Sequence, residues 1–223
     1  MAIVNYYQCV ECDLELADDG RLFYYDNDSG ETIEFLILMS TVGLDRGSKI
    51  KGNVTETYCK SCDKYMRIYS IRESEIENPC ETVRKGIDKH ISVIQSELER
   101  LKGIKRRSKY TITPEEDYYV VDFPEWGDFY HVDDEPEMSK EDVIKDALSQ
   151  FHEEIDYKIN SMDDKVAESI IVVLDERGKG EDDPSEMVEC PDCGSEVNKY
   201  VSNLNECPKC GSLFGCINSV CYD

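Results

Sequence analysis

Four Cys-x-x-Cys pairs are the residues of this sequence whose type and spacing best suit chemistry. They are Cys9/Cys12, Cys59/Cys62, Cys190/Cys193 and Cys207/Cys210. Two intervening residues let a tight turn bring both thiolates to one side, so each pair supplies half of a tetrahedral sulfur site. Four halves make two whole sites. The spacing therefore predicts that this chain binds two metal ions.

The two C-terminal pairs have the more specific pattern. Each has a proline after its first cysteine and a glycine after its second, in Cys190-Pro-Asp-Cys193-Gly and Cys207-Pro-Lys-Cys210-Gly. The proline fixes the loop, and the glycine permits a turn that aims backbone N–H groups at sulfur. Residues 188–212 resemble a short zinc ribbon, in which two such knuckles share one Zn²⁺. The resemblance implies one zinc site built from these two pairs and no particular function, because ribbons occur in many unrelated assemblies.

Iron sites of the rubredoxin type have a similar cysteine spacing. Members of that family normally carry aromatic residues after the first knuckle, whereas Ser195, Glu196 and Val197 follow it here. The sequence therefore favours zinc over iron, and a rubredoxin-like electron carrier is an alternative function.

The two N-terminal pairs lack both the proline and the glycine. A predicted strand, Ile3–Gln8, leads into the first of these knuckles, and another, Tyr65–Ile71, leaves the second. This order matches a ribbon with a long β insertion, so we predict a second four-cysteine zinc site, with metal-free thiols as the alternative. Cys80, Cys216 and Cys221 are interpreted as ordinary thiols.

The sequence predicts an α+β protein. Strands are predicted where β-branched and aromatic residues alternate with turn signals, as at Arg21–Tyr25 and Asn53–Tyr58. The predicted domains are a β-rich zinc-ribbon-like domain with a large insertion at 1–78, an antiparallel helical hairpin at 79–176, a linker at 177–187 and a zinc ribbon at 188–223.

The helical hairpin is predicted from apolar spacing and capping signals. Apolar residues at three- and four-residue steps indicate a first helix over 81–107. Ser139 begins the second helix, with Asp142 at the capping-box position. The interval 111–138 is predicted to be a loop because three prolines and a glycine interrupt it. The segment 166–174 fits either a helix or a strand.

The net charge of −24 is unevenly distributed along the chain. Residues 111–189 contain 26 acidic and 6 basic side chains, a net −20, whereas residues 81–110 contain 4 acidic and 9 basic ones, a net +5. Most of the molecule would repel a polyanion. The basic cluster at 100–109 suits either phosphate contacts in a nucleic-acid-associated protein or neutralisation of the acidic segment, and we favour neutralisation.

The segment 118–130 mixes aromatic and acidic side chains. Its rings belong to Tyr118, Tyr119, Phe123, Trp126, Phe129 and Tyr130. Aromatic anchors with an acidic rim suit docking on a basic protein surface. The alternative is that the rings close over the helices as part of a core, and the sequence does not decide between the two.

Enzyme motifs are missing from this sequence. It has no phosphate-binding loop, dinucleotide fingerprint or nucleophile elbow, and none of His90, His131 and His152 stands beside a cysteine pair. It also has neither an apolar stretch long enough to span a membrane nor a secretory leader, which predicts a cytoplasmic location. We therefore predict a non-catalytic zinc-binding adaptor or regulator that docks on a protein partner with a basic surface.

Overall fold

The structure is a computed structural model, and it describes residues 2–18, 21–36, 47–116, 118–133, 139–174 and 187–222. Within these residues the chain is α+β, as predicted, with two α-helices and several sheets. The helices are α1 (Pro79–Arg107) and α2 (Lys140–Ala167). The strands are β1 (Ala2–Cys9), β2 (Glu15–Asp18), β3 (Arg21–Tyr25), β4 (Thr32–Leu36), β5 (Ile50–Cys59), β6 (Lys64–Ser74), β7 (Thr111–Pro114), β8 (Tyr118–Phe123), β9 (Asp128–Asp133), β10 (Ser169–Leu174), β11 (Met187–Glu189), β12 (Glu196–Asn198) and β13 (Phe214–Tyr222).

The chain divides into two compact units. The first unit combines Met1–His90 with Ala167–Asp223, and the second is Ile91–Val166. The first unit therefore unites both ends of the sequence. The predicted linker at 177–187 lies outside the described residues, except for Met187.

The first unit is built on a five-stranded sheet in the order β10-β6-β5-β3-β4. Beside it, β1 lies between β13 and β2 in a three-stranded antiparallel sheet, and β11 pairs with β12. The sequence allowed either a helix or a strand for the segment 166–174, and the structure shows the end of a helix followed by a strand. Helix α2 ends at Ala167, and β10 then pairs in parallel with β6. A run of Ile and Val suits such a strand, because parallel strands are buried on both faces.

The second unit contains an antiparallel helix pair and a three-stranded sheet, β7-β8-β9. The predicted loop at 111–138 is wrong over these three strands. Pro124 and Gly127 stand in the β8–β9 turn, where the N–H groups of Trp126 and Gly127 both donate to the Phe123 carbonyl at 2.9 Å. Pro114 is the last residue of β7, where it pairs with Tyr119. The capping box of α2 is present, since Asp142 N–H donates to Ser139 Oγ and Ser139 N–H to Asp142 Oδ2, both at 3.2 Å.

One face of the β7-β8-β9 sheet packs on the helices to form the core of the second unit. Residues from both helices and the sheet are buried together there: Leu98, Leu101, Ile104, Val121, Phe123, Tyr130, Val132, Val143, Ala147, Phe151, Ile155 and Ile159. Phe123 stacks on Phe151 with ring centroids 4.3 Å apart, and Trp126 meets Phe151 edge-on at 6.1 Å. Part of the aromatic segment therefore closes over the helices, as one of the two interpretations predicted.

The basic cluster at 100–109 is largely paired with carboxylates of the second unit. Lys102 lies 3.2 Å from Asp163, and Lys105 contacts Asp156. Arg107 and Lys109 both reach Glu125, at 2.7 and 3.1 Å. These pairs support neutralisation of the acidic segment over binding of phosphates.

Two glycines of α1 should respond in opposite ways to alanine. A Cβ at Gly86 would lie 2.5 Å from Thr32 Oγ1 and 2.9 Å from the Thr32 backbone nitrogen, whereas at Gly103 the nearest atom is the flexible end of Arg107, at 3.9 Å. Alanine favours a helix over glycine by about 1 kcal/mol, but overpacking against backbone costs about 1–3 kcal/mol. We expect Gly86→Ala to lower the free energy of unfolding in urea and Gly103→Ala to raise it. A stabilised Gly86→Ala protein would contradict this close packing of α1 on β4.

Candidate metal centres

Two sets of four cysteines come together in the first unit. One set is Cys9, Cys12, Cys207 and Cys210, and the other is Cys59, Cys62, Cys190 and Cys193. Within each set the sulfur atoms all lie within 4.8 Å of one another. The structure thus gathers all eight cysteines of the four pairs into two candidate metal centres.

The pairing of the knuckles differs from the one predicted. The sequence predicted that the two C-terminal pairs share one site and the two N-terminal pairs the other. In the structure each set takes one N-terminal and one C-terminal pair, so the resemblance to a self-contained ribbon at 188–212 does not extend to the ligand set. The two sets are nested along the chain, the 59–193 set lying inside the 9–210 set.

Strand pairing explains the first set, here called the outer site. Strand β1 runs antiparallel to β13, with Cys9 opposite Phe214, and Val10 N–H donates to the Leu213 carbonyl at 3.3 Å. Because β1 leads into the first knuckle and β13 leaves the last one, this register brings their cysteines together. Cys9, Cys207 and Phe214 are buried in one small core that encloses the site.

The second set, here called the inner site, lies at the turn between β5 and β6. The hydroxyls of Thr55 and Thr57 donate to the carbonyls of Lys199 and Asn198, at 3.1 and 2.8 Å, and so dock the segment after Cys193 onto β5. An apolar cluster supports the docking: Cys59, Met66, Ile68, Ile171, Cys190 and Val197 are buried together.

The sulfur separations fit a tetrahedral metal ion. Cys9 and Cys210 are 3.4 Å apart and Cys12 and Cys207 3.7 Å, while Cys59–Cys193 and Cys62–Cys190 measure 3.6 and 3.7 Å. Zinc binds cysteine sulfur at about 2.3 Å, so the edges of its sulfur tetrahedron are about 3.8 Å. A disulfide would instead need about 2.05 Å. The donor set therefore suits a Cys₄ metal ion in both centres.

Three of the four knuckles have a left-handed residue after the second cysteine. Gly194 has φ +74° and Gly211 has φ +82°, and each N–H donates to the carbonyl of the knuckle's first cysteine at 2.8 Å. The turn predicted for these glycines is therefore present at both C-terminal knuckles, with the glycine N–H groups themselves donating to carbonyl oxygens. At the Cys59–Cys62 knuckle the equivalent residue is Asp63, with φ 54°, and its carboxylate accepts a hydrogen bond from the Tyr58 hydroxyl.

Serine residues favour the thiolate form of one cysteine in each set. A hydrogen bond from the Ser195 hydroxyl, with a second from its backbone, lowers the pKa of Cys193 to about 6. The Ser212 backbone and hydroxyl do the same for Cys210, whose pKa also falls to about 6. The thiolate is the form that ligates metal, so Cys193 and Cys210 suit ligands. In the inner site the contact with Cys193 raises the pKa of Cys62 and burial raises the pKa of Cys59, so these two thiols must lose a proton when a metal binds.

Gly211 and Gly215 provide a matched test of the knuckle turn. A Cβ would meet no atom within 4 Å at either position, but only Gly211 has a positive φ. Gly211→Ala should therefore cost the left-handed strain of about 1–2 kcal/mol, whereas Gly215→Ala should be neutral or slightly stabilising. Competition with a zinc chelator should show about tenfold weaker retention of one zinc in Gly211→Ala alone. Equal retention in both variants would contradict a role for this turn in holding the metal.

The remaining cysteines and the histidines lie outside both sets. Cys80 is partly buried near the start of α1, and Cys216 is exposed on β13. Cys221 lies on β13, but its side chain is not among those described. A cleft of about 330 Å³ is lined by Cys59 of the inner site and by Cys207 of the outer site.

Comparisons with protein-family models, with curated proteins and with solved structures find no match for this chain. Among the described residues, no helix has the length and apolar character needed to cross a bilayer. By its fold and its two centres, the chain is an α+β protein with two candidate Cys₄ metal sites.

Proposed function

We propose that this chain is a non-catalytic zinc protein in which two structural Zn²⁺ ions fasten the C-terminal knuckles to the N-terminal strands, and that it serves as an adaptor for a protein partner. The observation that carries the zinc proposal is the gathering of eight cysteine sulfurs into two sets, with separations suited to a tetrahedral ion. Four cysteine thiolates are one of the usual ligand sets of structural zinc, which is four-coordinate and tetrahedral.

The ligand set argues against catalysis at these centres. A catalytic zinc keeps one position open for water or substrate, whereas four cysteines fill a tetrahedron. Iron bound by the same four cysteines would make the protein a rubredoxin-like electron carrier. Metal analysis distinguishes this alternative from the zinc protein directly.

The adaptor role is proposed from the charge of the chain. A net charge of −24 favours encounter with a basic protein surface and disfavours nucleic acid. The ion pairs of Lys102, Lys105, Arg107 and Lys109 with carboxylates of the second unit weigh further against phosphate binding by the basic cluster. A reducing compartment such as the cytoplasm belongs to this proposal, because free thiolates persist there.

The test is affinity purification from native cells with metal analysis of the same sample. We expect a colourless protein with two zinc ions per chain and a co-purifying basic protein that is released as ionic strength rises. Iron in stoichiometric amount would replace the zinc proposal with the electron carrier. Nucleic acid retained by wild type and lost when Lys105, Arg106 and Arg107 are substituted would replace the protein partner.

A further inference from the structure

The β7-β8-β9 sheet of the second unit has one face that its own core does not cover. Side chains alternate along each strand. Val121, Phe123, Tyr130 and Val132 point into the core, so their neighbours in the chain point the other way. This second face, here called the outer face, contains Tyr118, Val120, Asp122, Phe129 and His131.

Three rings form a continuous stripe on the outer face. Tyr118 and His131 have ring centroids 5.0 Å apart, and His131 and Phe129 are 5.2 Å apart. Phe129 is 58% exposed and His131 is also exposed. Three neighbouring rings on one surface of the sheet, with exposed Phe129 at one end and His131 in the middle, form an aromatic platform on the surface and are not part of the core.

The charge of the residues around this platform indicates which kind of partner side chain would bind it. Residues 111–139 contain ten Asp or Glu and no Lys or Arg. Asp122 lies directly opposite Phe129 across the β8–β9 ladder, so a carboxylate adjoins the stripe. An apolar partner surface would leave that carboxylate poorly solvated, whereas a cationic side chain would satisfy both the carboxylate and the ring faces.

We propose that the outer face binds a Lys- or Arg-rich segment of a partner protein, with the cations over Tyr118 and Phe129 and against Asp122. A guanidinium group suits this place best, because it is planar and weakly hydrated and both stacks on rings and pairs with carboxylates. The inference rests on the proposed adaptor function and names the surface and the partner chemistry that the adaptor uses.

Within the second unit, the ring of Trp126 already has a cationic side chain over its face. Lys158 lies with Nζ 5.0 Å from the centre of the Trp126 ring. On the outer face the rings stand beside Asp122 in a stretch of sequence without Lys or Arg, and in this proposal the partner supplies the cation. In this proposal one face of the sheet belongs to the core and the opposite face is the docking surface, so both interpretations of the aromatic segment 118–130 apply.

The probe is a fluorescein-labelled twelve-residue peptide of alternating Arg and Ser, titrated against the full-length protein by anisotropy. We expect binding that weakens with salt, and a loss of about three- to tenfold in affinity in each of Tyr118→Leu and Phe129→Leu, which keep apolar bulk but remove the ring. Asp122→Asn should weaken binding to a similar extent. A peptide with citrulline in place of Arg should not bind, since it keeps the shape and loses the charge.

Tyr157→Leu is the matched control. Tyr157 is a ring of the same unit, 80% exposed, on α2 and not on the outer face. The proposal would be overturned if Tyr157→Leu weakened binding as much as the two outer-face ring variants do. It would also be overturned if neither Tyr118→Leu nor Phe129→Leu changed binding. Either result would attribute binding to non-specific attraction by the acidic surface. Near-UV circular dichroism confirms folding of each variant.

Zinc content separates failure of this inference from failure of the proposed function. Wild type that holds two zinc ions and does not bind the Arg peptide overturns the docking surface and leaves the zinc proposal intact. Wild type without metal that still binds the peptide through Tyr118 and Phe129 overturns the zinc proposal and supports the surface.

Discussion

Removing zinc is expected to unfold the unit formed by Met1–His90 and Ala167–Asp223, while Ile91–Val166 keeps its helices. Structural zinc contributes roughly 10–16 kcal/mol of apparent binding free energy per site at neutral pH, which is comparable to the whole stability of most domains, about 5–15 kcal/mol. Both candidate centres lie in the first unit, whereas the second has an apolar core of its own. Circular dichroism after addition of a chelator should show loss of sheet signal and retention of helical signal.

The control for this experiment is the same chelator saturated with zinc beforehand, which should leave the spectrum unchanged. Restoring zinc under reducing conditions should restore the sheet signal, because the thiolates must be reduced to bind it. An unchanged spectrum after two zinc ions per chain have been measured in the chelator would contradict a structural role for the metal.

Replacing Arg67 by methionine is expected to cost about 3–5 kcal/mol of unfolding free energy, the usual result of leaving buried charges uncompensated. The Arg67 side chain is 11% exposed and lies 2.8 Å from both Glu34 and Glu168 and 3.7 Å from Glu56. Arg21, 2.7 Å from Glu56, would remain as a partner for one of the three carboxylates. The measurement is urea unfolding of the zinc-loaded protein at pH 7.

Lys85→Met is the matched control for Arg67→Met. Lys85 lies 2.7 Å from Glu81, but both side chains are well exposed, at 73% and 65%. Exposed pairs of this kind contribute about 0–1 kcal/mol, so this variant should unfold close to wild type. Equal effects of the two substitutions would show that burial does not strengthen the Arg67 network.

The cost of Arg67→Met should shrink as the pH falls. Burial would raise the pKa of Glu34, but the Arg67 guanidinium and the Tyr69 hydroxyl outweigh it, so the pKa of Glu34 lies below its ordinary value. A depressed carboxyl pKa gives stability that is present above the unfolded pKa and is lost as the pH falls through the folded one. Without Arg67, burial dominates and protonation of Glu34 relieves the uncompensated charge, so the difference in unfolding free energy between wild type and variant should narrow as the pH falls from 7 and should be smallest below pH 4.5, where Glu34 of the wild type is protonated as well.

The contribution of Glu168 to stability should change with pH in the opposite direction to that of Glu34. Burial raises the pKa of Glu168, and Arg67 offsets this only in part. A raised carboxyl pKa gives stability that is present below the unfolded pKa and is lost as the pH rises through the folded one. At pH 7 we therefore expect Glu168→Gln to be neutral or stabilising and Glu34→Gln to be destabilising. The reverse order would contradict these assignments.

The sequence was sufficient for the ligands and for much of the local structure, because both depend on short-range signals. Cys-x-x-Cys spacing identified all eight cysteines that the structure gathers, and turn signals placed β3 at Arg21–Tyr25 as observed. The pairing of the knuckles could not be predicted, because it depends on long-range strand registers. The register of β1 on β13 joins residues about 200 positions apart, and no local pattern encodes it.

The predicted loop at 111–138 was wrong for a different reason. Its prolines and glycine indicate interruptions of regular structure, although residues of this kind also form the hairpin turn between two strands, as Pro124 and Gly127 do. The informative signal was the alternation in Tyr118–Phe123 and Asp128–Asp133, where every second residue is buried against the helices. The acidic residues between them obscured this period of two.

Zinc stoichiometry in two double variants tests the nested pairing most directly. Cys12→Ser with Cys207→Ser removes two ligands of the outer site and leaves the inner site complete, whereas Cys190→Ser with Cys207→Ser damages both sites. Native mass spectrometry in a competing chelator should therefore find one zinc in the first variant and none in the second. One zinc in the second variant and none in the first would show that each site is formed by neighbouring pairs and would contradict the account.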